Sequence, residues 1–281
     1  MHCDINDFSI ILKNAKNTLN KAQITNAKKE VDWFLEYIFN RPLYELKNNK
    51  TIQITKKHLK QFNEFINRRA SGEPFQYIIN NSTFYGYNFI VNRHTLIPRP
   101  ESELIIDVVK KYDFFKEALD VGTGSGNLAI TLSLEKTISE IDAIDISNSA
   151  LKIAIKNKRK LQAKNVIFFH QNIFKKLPEK KYDLIVSNPP YISKNEYEKL
   201  DDQVKNYEPQ ISLTDNKDGL SFYRFFAQGL SKILKPKGKV ILEIGLEKHK
   251  KKIQELFINN NYKYKWHKDL NRNYRVIELW Q

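Results

Sequence analysis

The stretch SNPPYIS, Ser187 to Ser193, sets two prolines directly after an asparagine at the end of the apolar run YDLIV. Proline has no N–H to give to a sheet, so a strand that reaches this point has to stop pairing. What it presents instead are acceptors. Asn188 has a side-chain carbonyl, and Pro189 has a backbone carbonyl without a competing N–H of its own. Two acceptors side by side match the two hydrogens of a planar –NH2. The ring of Tyr191 offers a face on which a flat, conjugated group can stack. A carboxamide or aromatic amine nitrogen is a poor nucleophile because its lone pair is delocalised. Accepting both of its N–H bonds favours pyramidalisation, and fixed acceptors stabilise the positive charge that forms as it attacks. Asn188, Pro189 and Tyr191 are therefore the candidate catalytic residues, and Asn188, Pro189, Pro190 and Tyr191 the candidate substrate contacts. Such chemistry calls for neither a metal nor a covalent nucleophile.

A second motif, LDVGTGSGNLAI, runs from a strand pattern into a helix pattern with Gly122, Gly124 and Gly126 between them. Glycine permits positive φ and lets a ligand approach the backbone closely. The spacing G-x-G-x-G is neither the dinucleotide fingerprint nor a P-loop. Asp145 ends the next strand pattern, 23 residues after Gly122, where an acidic side chain can accept both hydroxyls of a ribose. Asp120, before the loop, can face a cationic group. A nucleoside that carries a cation but no pyrophosphate suits the set, and S-adenosylmethionine is such a molecule. Gly122, Thr123, Gly124, Ser125, Gly126, Asp120 and Asp145 are the expected cofactor contacts, joined by Asn172 and Ile173 beside the adenine and by Asn188. The helix after Asp145 has its own candidate cap in Ser147 or Asn148.

These motifs need elements to hold them. Residues 1–75 read as a helical bundle: Val31, Phe34, Leu35 and Ile38 recur at helical spacing, as do Leu59, Phe62 and Ile66, with Thr55 as an N-cap and a break at Pro42. Residues 76–100 are rich in aromatic and β-branched residues and read as a linking β-hairpin around Gly86–Asn88. Residues 101–281 alternate strand and helix patterns, which predicts an α/β domain with a mostly parallel, doubly wound, Rossmann-like sheet. YKYKWH and YRVIELW close the chain as an antiparallel edge pair. The carboxyl ends of neighbouring strands in such a sheet share one crevice, so the glycine loop, Asp145 and Asn188 are expected to converge there.

Bulk properties narrow the class. The 281 residues carry 47 Lys and Arg against 32 Asp and Glu, a net charge of +15. Residues 1–150 are nearly balanced at 19 to 18, while residues 151–281 hold 28 to 14, so the excess lies in the second half. Only 9 of the basic residues are Arg, the better side chain for bidentate recognition, so the charge speeds encounter more than it defines a site. Short runs such as KNNK and KHKKK read as solvated faces or turns. No apolar run reaches the roughly 18 residues a membrane helix needs. Asp4 and Asp7 near the start argue against a signal peptide. Cys3 is the only cysteine, which excludes an internal disulfide and a cysteine-based zinc cluster and fits a reducing cytoplasm.

Taken together, DVGTGSG, AIDIS, VSNPPY and YEPQISL, in this order, resemble the release factor glutamine methyltransferases of the HemK/PrmC type. GEPFQYI, LIPRPESE and HKDLNRNYRVIEL extend the likeness over nearly the whole chain. The resemblance implies a class I S-adenosylmethionine-dependent methyltransferase domain with a seven-stranded sheet, and a helical N-terminal domain that helps dock a bacterial peptide chain release factor. It implies methylation of the glutamine side-chain nitrogen (N5) in a Gly-Gly-Gln motif. On the matching positions, Gly122 to Gly126, Asp145, Ile173 and Asn188 contact the cofactor, and Asn188 to Tyr191 hold the glutamine. The chain departs from the family pattern at Asn172-Ile173, where an acidic residue and a tryptophan are usual. It departs again at Ser102, where threonine is commoner, and after Leu270, where a glycine is missing. A sister group with the same layout acts on a glutamine of a large-subunit ribosomal protein. The Asn-Pro-Pro-Tyr motif also serves N6-adenine methylation of a flipped base. No base-reading module is evident in the sequence, which makes nucleic acid the least favoured of these substrates.

Overall fold

The computed structural model describes residues 5–48, 54–135, 138–245 and 247–281. Cys3, Asp4 and the second half of KNNK lie outside them. The chain divides into two units, one holding residues up to Asn80 with Asp202–Tyr207, the other holding Asn81–Asp201 and Glu208–Gln281.

The first unit is helical: α1 (Ile5–Lys21), α2 (Ala27–Phe39), α3 (Leu43–Asn48), α4 (Lys56–Ala70) and the short α5 (Phe75–Ile78). The apolar stripes read from the sequence meet in one core of Leu19, Val31, Phe34, Leu35, Phe62, Phe65 and Ile66. The Phe34 and Phe65 rings stack at 3.7 Å between centroids. Thr55 caps α4, its hydroxyl accepting the His58 N–H at 3.2 Å. Asn40 ends α2 with φ +49°, a left-handed cap two residues before Pro42. A buried ion pair between Glu30 and Arg69 (2.5 Å) joins α2 to α4.

The second unit opens with a hairpin, β1 (Ser82–Phe84) and β2 (Tyr87–Phe89), turning at Tyr85–Gly86, both of positive φ. The hairpin, expected as a linker over 76–100, buries Phe84 and Phe89 in this unit's core. Then follow α6 (Glu103–Val109), β3 (Phe115–Val121), α7 (Asn127–Leu134), β4 (Ile138–Asp145), α8 (Asn148–Leu161), β5 (Val166–His170) and β6 (Tyr182–Ser187). A stretch of short helices, α9 (Lys194–Tyr197) and α10 (Asp202–Tyr207), leads to α11 (Ser221–Gly229), β7 (Leu234–Glu243), α12 (Lys250–Ile258), β8 (Lys263–Lys268) and β9 (Tyr274–Trp280). Helix α10 belongs with the first unit, where Tyr207 Oη donates to the Ser71 carbonyl at 2.8 Å.

The sheet runs in the order β5-β4-β3-β6-β7-β9-β8, parallel from β5 to β7 and antiparallel through β9 and β8. Buried apolar side chains cover both faces, as a sheet between helix layers requires. From β3 the chain winds outward to β4 and β5, then returns to β6 on the other side. The switch point of the topology therefore lies between β3 and β6. No helix among the described residues is long and apolar enough to cross a membrane.

Candidate active site

At the switch point three strands end in register. Val121 pairs with Ser187, and Ser187 pairs with Leu242. The residues that follow, Gly122, Asn188 and Glu243, are thus delivered to one edge. The buried Ser187 hydroxyl donates to the Val121 carbonyl at 2.7 Å and ties the two central strand ends together.

The glycine loop is shaped from both sides. Gly122 and Thr123 donate their N–H groups to the Ile144 carbonyl at 2.9 and 3.0 Å, fixing the loop to the end of β4. Gly122, Gly124 and Gly126 have φ of +75°, +56° and +83°. A Cβ on Gly122 or Gly124 would meet nothing within 4 Å, so these two leave open space. At Gly126 a Cβ would stand 2.9 Å from Ile130 and 3.2 Å from Ala154, so this glycine also serves close packing of α7 against α8. Buried Asn157 of α8 donates to the carbonyls of Ser125 and Ile90, each at 2.9 Å, and clamps the loop from behind.

Asp145 lies beside the loop. One carboxylate oxygen accepts the Gly124 N–H and the other the Ser147 N–H, both at 2.8 Å. Burial raises its pKa, against the pull of the Ser147 and Gly124 amides. Ser147, not Asp145, caps α8, accepting the Ala150 N–H at 3.2 Å. Asp145 lines a cavity, and its carboxylate has lone pairs beyond those these two bonds use.

That cavity has a volume of about 430 Å³ and is lined by Gly122, Thr123, Gly124, Ser125, Asp145, Asn172, Ile173, Asn188, Pro189 and Pro190. Most of the residues singled out from the sequence therefore converge. Asn172 does so with its side-chain oxygen already accepting the Phe174 N–H at 2.9 Å. The sequence missed Phe174, whose ring is exposed on the cavity and packs edge-on against Phe222, 4.6 Å between centroids. It also missed how two family-like segments are joined. The Glu208 carboxylate accepts the Ile97 N–H at 3.1 Å and the Arg99 guanidinium at 2.5 Å, bringing LIPRP and YEPQ to the same rim.

Two of the expected residues lie away from the cavity. Asp120 does not line the cavity; it is completely buried beneath the loop. Its strand is covered on both faces. Neither of its oxygens has a well-formed hydrogen bond, and burial raises it to about 7, against a smaller pull from the Thr123 hydroxyl and the Ala129 N–H. Nor does Tyr191 offer a stacking face to the cavity. Its ring lies against Gly245, and its hydroxyl donates to Glu243 Oε1 at 3.3 Å. Burial, then the Glu243 charge, raises the phenol well above its ordinary value.

Asn188 is held from below. Its Nδ2 donates to Ser102 Oγ at 2.9 Å, and Ser102 donates to Glu243 Oε2 at 2.5 Å. Glu243 was not anticipated. The signal was an acidic residue inside the apolar run KVILEIG, a position that is charged only for a reason. Among the described residues no group of three or more His, Cys, Asp or Glu side chains is placed to hold a metal ion.

Comparison with known proteins places the chain in a family. Residues 100–204 match the family model of the methyltransferase small domain, and residues 11–79 match that of the PrmC N-terminal domain. The chain is 37% identical to the bifunctional methyltransferase of Rickettsia prowazekii, over 96% of this chain and 56% of that protein, so it spans little more than half the length of that relative. It is 39% identical to the release factor glutamine methyltransferase of Fusobacterium nucleatum subsp. nucleatum, over 96% of this chain and 70% of that protein. A methyltransferase from Pyrococcus furiosus shares the fold, with a TM-score of 0.53 at 19% identity over 80% of this chain and 98% of that one. The second unit is thus a class I methyltransferase fold. With these two matched regions on one chain, and that identity over nearly all of it, this protein belongs to the release factor glutamine methyltransferase family.

Proposed function

We propose that the chain transfers a methyl group from S-adenosylmethionine to the side-chain nitrogen of the glutamine in the Gly-Gly-Gln motif of a peptide chain release factor. The observation that carries this reading is the convergence on one cavity of the open glycine loop, Asp145 and an Asn-Pro-Pro turn. The cavity fits the cofactor: Gly122 and Gly124 leave room where any Cβ would intrude, and Asp145 keeps acceptor capacity for ribose hydroxyls. When bound, the cofactor supplies an electrophilic sulfonium methyl.

The chain's own residues supply the rest. Gly122 to Gly126 and Asp145 hold the nucleoside; Ile173 and Phe174 give apolar surface, and Asn172 retains its side-chain N–H for a ring acceptor. Asn188, tied by its nitrogen to Ser102, keeps its carbonyl oxygen for one substrate N–H, and the Pro189 carbonyl suits the other. Acceptors fixed in advance stabilise charge developing on the attacking nitrogen without reorganisation. Holding the amide in line with the donor lowers the entropic part of the barrier.

The test is transfer of labelled methyl from S-adenosylmethionine to purified release factor, to a release factor with the motif glutamine changed to alanine, to large-subunit ribosomal protein and to nucleic acid. Label in the first only supports the reading. Label entering only ribosomal protein or nucleic acid overturns it.

A further inference from the structure

Ser102 and Glu243 come from distant parts of the chain and meet beneath Asn188, each only 1% exposed. Ser102 Oγ stands 2.5 Å from Glu243 Oε2 and 2.9 Å from Asn188 Nδ2. A hydroxyl has a single proton, and an ionised carboxylate can only accept. With Glu243 ionised, the Ser102 proton is therefore committed to it, and the Ser102 oxygen can only accept from Asn188. Just one end of the Asn188 amide, the –NH2 end, can satisfy that oxygen. The two ends of an amide are nearly equal in shape, so packing alone does not choose between them. We infer that Ser102 and Glu243 are positioning residues, which fix the Asn188 amide with its oxygen toward the substrate nitrogen. This rests on the proposed methylation of an amide. A reversed Asn188 would set N–H groups against the substrate –NH2, donor facing donor.

The groups around Glu243 show what can disturb the arrangement. Tyr191 donates to its other carboxylate oxygen at 3.3 Å, and Tyr223 to its backbone carbonyl at 2.7 Å. The Arg275 charge lowers its pKa and the Glu101 charge raises it, but burial dominates and pushes it to about 7. A protonated Glu243 can donate to Ser102. The hydroxyl proton is then free to turn toward Asn188, and the reversed amide becomes acceptable. The orientation, and with it turnover, should be lost as pH falls through about 7.

The experiment uses the full chain with Ser102→Ala and Ser102→Thr. The Asn188 side-chain –NH2 resonances are identified by their disappearance in Asn188→Asp. The alanine variant should lose roughly tenfold in kcat, the scale of one hydrogen bond. Its affinity for S-adenosylhomocysteine should be unchanged, and it should lose the acid limb near pH 7. Threonine, which keeps the hydroxyl, should restore both. The wild-type Asn188 –NH2 shifts should titrate near pH 7 without any substrate, and those of the alanine variant should not. Wild-type kcat in Ser102→Ala, a loss that threonine does not rescue, or wild-type Asn188 shifts that ignore pH would each overturn the inference. The resonances need no methyl acceptor. If they behave as expected while no glutamine is methylated, the positioning stands and the proposed substrate fails.

Discussion

The Tyr191 ring lies so close to Gly245 that a Cβ there would stand 2.3 Å from Tyr191 Cδ2. Gly219 approaches the backbone of the same residue, where a Cβ would stand 2.3 Å from the Tyr191 carbonyl oxygen. Three residues beyond Asn188 in the same turn, the Tyr191 ring is thus wedged against Gly245 and its backbone held close to Gly219. Gly245→Ala should therefore push the ring out of place at a cost of about 1–3 kcal/mol, the usual range for overpacking. Methyl transfer should fall more than cofactor affinity does. Tyr191→Phe keeps the ring and loses only a long hydrogen bond, so it should retain stability within about 1 kcal/mol and most of the activity. Thermal unfolding and initial rates of both variants check this; equal damage from the two would refute the wedge.

Asn188→Ala removes the acceptor and leaves the Ser102 oxygen without its donor. Turnover should drop by at least about two orders of magnitude, as for other preorganised polar groups that act on developing charge. The glycine loop and Asp145 are untouched, so calorimetric titration with S-adenosylhomocysteine should still give binding. A variant that turns over near the wild-type rate would remove Asn188 from the chemistry.

Much of this arrangement was legible in the sequence, and the exceptions share a cause. Alternation of strand and helix patterns located β3 to β9, and strand polarity then placed Gly122, Asp145 and Asn188 at one edge. Those inferences rest on local periodicity and on a general rule of sheet topology. Where Tyr191 points is decided instead by Gly245, a residue after a different strand, and no local pattern carries that. Nor does alternation, in a strand buried on both faces, say on which side Asp120 lies.

The three loop glycines should separate by function. Gly124→Ala meets only backbone strain at φ +56° and no neighbour within 4 Å. It should cost about 1–2 kcal/mol of stability while sharply weakening cofactor binding, since its methyl enters the cavity proposed to hold the cofactor. Gly126→Ala adds contacts of 2.9 Å to Ile130 and 3.2 Å to Ala154 and should unfold at distinctly lower temperature. Parallel measurements of Tm and S-adenosylhomocysteine affinity distinguish the two, and the same loss of stability in both would contradict the packing role of Gly126.

Asp120 makes the sharpest prediction for pH. Its pKa rises from 3.8 to about 7 because burial disfavours the charged form. In the unfolded chain the group ionises near 4, so between about pH 4 and 7 the native state holds a proton that the unfolded state has released. Unfolding then becomes easier as pH rises. The stabilisation is complete below the unfolded pKa and is lost as pH climbs through about 7. The shift corresponds to a few kcal/mol, on the order of 1.4 per pKa unit. Asp120→Asn cannot ionise. Relative to wild type, it should gain stability from pH 5 to about pH 7 in urea unfolding and level off above that, whatever the other titrating groups contribute, because they cancel in the difference. Its loop geometry should survive, since Thr123 lies close enough to bond the new amide. Wild-type and variant curves that run parallel across that range would show that Asp120 ionises normally, and its burial would then need another charge to compensate it.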